Sequence, residues 1–73
     1  MSLRGYSDAV AELSPRMVVV LRAASQGRTI AETALELHVA ESTVESIRAA
    51  ACARLGVSNV IQAVTVSIRA GVL

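Results

Sequence analysis

Phenylalanine and tryptophan are absent from this 73-residue chain, and Tyr6 is its only aromatic residue. Any core must therefore be assembled from Val, Leu, Ile and Ala, side chains that allow close helix packing but bury little area each. Lysine is absent as well, so all seven cations are Arg. A single cysteine, Cys52, excludes an internal disulfide, and no Cys/His cluster suggests zinc. Cys52 is expected as a small residue on the outer side of its helix, with no redox role. No apolar run approaches the roughly 20 residues needed to span a bilayer. Met1–Gly5 lacks the apolar stretch of a secretory signal, so a cytoplasmic location without membrane contact is expected. No nucleophile–base pair stands at helical spacing, and there is no glycine-rich phosphate loop or ligand cluster. An enzyme is accordingly not expected, nor a catalytic residue, metal or cofactor.

What remains is 53% hydrophobic with a formal net charge of +1. The length suits one small domain, with no room for a separate sensory or catalytic module. Such a chain buries a modest fraction of its surface and is marginally stable unless it oligomerises.

The chain is organised around Thr29–Leu55, which reads as two short helices joined by a tight bend at His38-Val39-Ala40. Ile30, Ala34 and Leu37 share one face before the bend. Val44, Ile47, Ala51 and Leu55 recur at three- and four-residue steps after it, the period of a half-buried helix. Val39 is the apolar plug of the bend, and small Ala34 lets the second helix approach closely. The connection is too short for antiparallel stacking, so the two helices cross steeply, as in a helix-turn-helix.

Along the chain, residues 1–12 are poorly specified, with Ser7-Asp8 capping at most one turn through Ala9–Ala11. Residues 13–73 form the domain. Ser14 and Pro15 supply an N-cap and a first helical position, and this helix runs to Gln26 before Gly27. Met17, Val18, Val19 and Val20 leave it apolar on most sides, so Val18 and Val19 need a cover. Thr29 and Glu32 match a capping box at the start of the second helix. Ser42 and Glu45 match another, placing the third helix between Ser42 and Leu55, with Gly56 beyond it. Ser58 or Asn59 caps a last helix that ends near Ala70 and Gly71. Its residues Val60, Ile61, Val64, Val66 and Ile68 surround most of the circumference, which a two-fold dimer contact would cover. The fold class is all-α, a four-helix bundle containing a helix-turn-helix.

Several of these residues carry a further signature: Leu13-Ser14-Pro15-Arg16, Val20-Leu21, Gly27, Glu32, Ala34, Leu37, Thr43-Val44, Leu55-Gly56-Val57, Gln62-Ala63-Val64 and Arg69-Ala70-Gly71. In order and spacing, Leu13–Leu73 resembles the LuxR/GerE-type DNA-binding domain. The resemblance implies a four-helix domain whose third helix enters the major groove of double-stranded DNA and whose fourth pairs with its copy in a homodimer, here in a stand-alone form. It points to Val60, Ile61, Val64 and Ile68 for dimerisation. For DNA it points to Arg28, Thr29, Ser42, Thr43, Glu45, Ser46, Arg48, Ala49 and Arg54.

The departures matter as much. Where the family usually has Lys or Arg after Thr-Val, this chain has Glu45; one turn later it has Ala49, and Ala31 replaces a Lys of the preceding helix. Within Thr29–Leu55, Glu32, Glu36, Glu41 and Glu45 face only Arg48 and Arg54, a balance of −2. Losing Lys and Arg contacts to phosphate weakens binding at every sequence. Arg28, Arg48 and Arg54 remain as backbone clamps, and Arg28 beside a helix N-terminus reads equally as a phosphate ligand or a solvated surface residue. Arg48 is expected on the outer flank of the third helix, facing solvent or DNA. Glu45 either closes the box with Ser42 or accepts from cytosine N4. Ser42, Thr43 and Ser46 can donate to bases or phosphates. His38 is a polar turn residue. A second reading is a helix-turn-helix turned to protein binding through the Val18/Val19 surface and the Ala49/Ala50/Ala53 face, modulating a related regulator.

Overall fold

The structure, a computed structural model, describes residues 12–73. The turn expected over Ala9–Ala11 lies outside these residues. Four helices follow in order, α1 (Pro15–Ser25), α2 (Ile30–Leu37), α3 (Glu41–Leu55) and α4 (Val60–Arg69), with no strand among the described residues.

Local chemistry sets most of the boundaries. The Met17 N–H donates to Ser14 Oγ at 3.2 Å, and Pro15 opens α1, where a missing donor is harmless. Gly27, at φ +77°, turns the chain out of α1 in a conformation that disfavours a Cβ. At the start of α2 the Glu32 N–H donates to Thr29 Oγ1 at 3.1 Å, and the Thr29 N–H donates to Glu32 Oε1 at 2.9 Å. Both arms of the capping box are thus made. Asn59, not Ser58, caps α4: its Oδ1 accepts from the Gln62 N–H at 2.9 Å. The Gln62 side chain in turn accepts from the Ser58 N–H at 2.9 Å.

The start of α3 departs from expectation. Its N-cap is Ala40, which has no side-chain bond to offer, and Ser42 is already the second helical residue. The box over Ser42–Glu45 is not formed. The reason lies in the bend: α2 ends at Leu37, His38 takes a left-handed conformation (φ 57°, ψ 43°), and Val39 turns inward against Val20, Ala34 and Val44. The backbone is then directed to resume helix at Glu41, whose carboxylate in the first turn complements the positive end of the helix dipole. His38 is therefore more than a polar turn residue, since its backbone terminates α2.

Two apolar clusters make the core. Leu13, Leu21, Ala51, Leu55 and Ala63 bring α1, α3 and α4 together, while Val20, Ala34 and Val44 join α1, α2 and α3. α1 serves both clusters from adjacent faces, Leu21 entering the first and Val20 the second about 100° round the helix, which widens its apolar arc. Val18 consequently packs half-buried on the first cluster with Met17. It is not the open surface that was expected, and only Val19 remains exposed, at 43%. Cys52 corrects another expectation: it too is half-buried against this cluster, drawn in as α3 packs on both α1 and α4. Fully buried Ala51 and Ala63 keep the helices close, and α4 leaves the direction of α3 by 56°. No single helix among the described residues is long and apolar enough to cross a membrane.

Candidate nucleic-acid interface

With Val44, Ala51 and Leu55 turned into the core, the opposite side of α3 is left to solvent. Ser42, Glu45, Ser46, Ala49, Ala50 and Ala53 are all exposed along it, at the three- and four-residue spacing of one stripe. This stripe contains no cation. Thr43 stands half-buried beside it. Glu41 and Glu45, four residues apart, put two carboxylates at the leading end.

The three arginines near this surface are each constrained. Arg28, just ahead of α2, forms an ion pair with Glu36, the only such pair found among the described residues. Neither partner is buried, so the pair adds little to stability, yet it occupies the guanidinium that a phosphate would need. Sequence reasoning counted Glu36 among the acids of this segment but not as the partner of Arg28. The signal was there: Thr29, Thr33 and Glu36 lie on one row of α2, which brings Glu36 back beside the residue preceding the helix. Arg54, exposed near the end of α3, donates from Nη1 to the Glu12 carbonyl at 2.7 Å. Arg48 is half-buried rather than on an open flank, and its Nε is shielded from solvent with no hydrogen-bond partner among the described residues. The shaft of Arg48 is thus held against the protein.

At the head of α2, Glu32 is held below the usual glutamate range, chiefly by the Thr29 N–H it accepts, then by the Thr29 hydroxyl and nearby Arg28. Thr29 is committed to this cap through its side chain and is still exposed. The positive charge of the molecule has been displaced from the bihelical unit. Outside Thr29–Leu55 the sequence has Arg4, Arg16, Arg22, Arg28 and Arg69 against Asp8 and Glu12, a balance of +3.

A second surface lies on α4. Ile61 and Ile68 are 75% and 53% exposed, with exposed Thr65 between them, while Val60 and Val64 lean half-buried on the first cluster. Leu35 on α2, which sequence reasoning did not single out, is 78% exposed. A cleft of about 400 Å³ between the α3–α4 turn and α4 is lined by Gly56, Val57, Ser58, Gln62, Thr65 and Val66, with no titratable side chain. Among the described residues no group of His, Cys, Asp and Glu could hold a metal ion.

The α2–bend–α3 unit, packed on α1 and closed by α4, is a helix-turn-helix within an all-α domain. Searches of curated proteins and of solved structures found nothing that matches. The sequence pattern described as bacterial regulatory proteins, luxR family, matches residues 11–67, which is most of the chain. The chain belongs to the luxR family of bacterial regulatory proteins, and its helix-turn-helix is that of a DNA-binding regulator.

Proposed function

We propose that this protein is a transcription regulator that binds double-stranded DNA as a homodimer, with the Ser42–Leu55 part of α3 in the major groove of each half-site. The observation that carries the reading is the exposed stripe of α3, polar at its leading end and opposite the core, on a helix-turn-helix of this family. Ser42, Thr43, Glu45, Ser46 and Ala49 face the bases or the flanking phosphates. Thr29 and the guanidinium ends of Arg28, Arg48 and Arg54 face the phosphate chains. Ile61 and Ile68, flanked by Val60 and Val64, form the contact between copies; their exposure in a single chain is what such a contact would remove.

A second reading draws on the same stripe. Without a cation, the Ala49/Ala50/Ala53 face also suits a polypeptide, and a chain with this surface would act by pairing with a related regulator and weakening its grip on DNA. Val19, not Val18, would extend that contact.

A mobility-shift titration on random duplex at low salt separates the two. With Arg28 held by Glu36, engagement of Arg48 and Arg54 in both copies gives a slope of log affinity against log salt of about −3.6, at about −0.9 per phosphate contact. Glu45→Lys is expected to raise affinity for random duplex and Arg54→Ala to lower it. No shift at tens of micromolar selects the protein-binding reading.

A further inference from the structure

Among the described residues the carboxylate of Glu45 has no hydrogen-bond or ion-pair partner. The capping box that would have employed it is not formed, because α3 begins at Glu41. At the fifth helical position it lies beyond the first turn, where the dipole rewards negative charge. It makes no ion pair among the described residues, although Arg48 is three residues away. Glu41, one turn back on the same helix side, repels it. The side chain is exposed on the outward stripe, between Ser42 and Ala49, and next to Ser46.

We infer that Glu45 reads a cytosine in the major groove, accepting a hydrogen bond from its N4 amino group. This rests on the DNA-binding reading above and deepens it. A carboxylate only accepts, so it needs a donor on the base edge. The major-groove edge offers two, the amino groups of cytosine and adenine. Adenine sets its N7 acceptor beside the amino group, where a carboxylate would meet a lone pair; cytosine presents the donor alone. Guanine and thymine offer that edge acceptors only. The flanking surface is compatible, since Ala49 adds no bulk and Ser42 and Ser46 are short. Repulsion from the phosphates burdens every duplex equally. Glu45 therefore lowers affinity in general while creating a difference between bases, and specificity is that difference.

The test is selection from a random duplex pool at low salt, using the whole chain and its Glu45→Ala and Glu45→Gln variants. Far-UV circular dichroism of each variant should be unchanged, since the side chain is exposed and unbonded among the described residues. The wild type should enrich one C·G pair in each half-site, preferred by on the order of tenfold over the other bases. Glu45→Ala should bind unselected duplex more tightly and lose the preference at that pair alone. Glu45→Gln, whose amide can both donate and accept, should turn the preference towards adenine. Should Glu45→Ala enrich the same sequence as the wild type, Glu45 is only an electrostatic deterrent; the inference fails and the DNA-binding reading stands. Should the wild type retain no duplex of any sequence, both fall.

Discussion

Replacing Glu36 should strengthen DNA binding, although Glu36 is not proposed to touch DNA. Glu36→Ala removes the partner of Arg28 and releases a guanidinium beside the head of α2. The pair's side chains are 41% and 53% exposed, so its loss should change stability by well under about 1 kcal/mol. Its effect on DNA should be larger. One new phosphate contact per copy adds about −0.9 to the salt slope, hence about −1.8 for a dimer. Between 50 and 200 mM salt, that contribution alone corresponds to an affinity change of about twelvefold. Mobility shift or fluorescence anisotropy on one fixed duplex, at four or five salt concentrations, measures it. Removing a carboxylate also lessens general repulsion, so Arg28→Ala is needed in both backgrounds. Arg28→Ala should leave the wild-type slope nearly unchanged and should abolish the increment in Glu36→Ala. A slope that steepens equally in the double variant would show that Arg28 never reaches phosphate, and the ion-pair argument would be wrong.

Ile61→Asp or Ile68→Asp should produce folded monomer by sedimentation, because both side chains are exposed on α4; unaltered sedimentation of a wild-type dimer would remove α4 from the contact. His38→Gly should raise the thermal midpoint, stabilising by about 1 kcal/mol, since a non-glycine residue in the left-handed region costs about 1–2 kcal/mol and glycine's greater unfolded freedom returns part of that. A lower midpoint would mean that the imidazole makes a contact outweighing the backbone effect. For Glu32, the folded carboxyl titrates below its unfolded value, so its contribution is complete above the ordinary glutamate range and fades as pH falls through the lowered value. Glu32→Gln should flatten the acid side of a urea-midpoint profile, and an identical profile would discount the Thr29 cap.

The parts of this fold legible in the sequence are those governed by short-range chemistry. Ser14-Pro15, the Thr29/Glu32 box, Gly27, Gly56 and the apolar steps from Val44 to Leu55 each act within a turn or two, and their outcome needs no knowledge of the rest of the chain. Ser42 failed as a cap because a longer-range demand prevailed. Val39 must reach the core beside Val20, and that requirement starts the helix at Glu41 before Ser42 can serve. Val18 and Cys52 were misread for a related reason. A helix that packs on two clusters, or between two neighbours, buries a wider arc than a one-faced pattern suggests. In the candidate interface, residue types along the outer stripe could be listed from periodicity. The pairing of Arg28 with Glu36 was legible in principle from the row of α2, whereas that of Arg54 with the Glu12 carbonyl was not, since it joins side-chain reach to tertiary placement.

The bend between α2 and α3 has a mechanical corollary. Three residues with one of them locked in a left-handed turn, and another plugged into the core, make a weld rather than a hinge. In the complex proposed above, α3 cannot swivel on α2 to accommodate an imperfect site, so the duplex would have to supply the compliance. Flexible base steps flanking the contacted pairs would then tune occupancy even where no side chain reaches them.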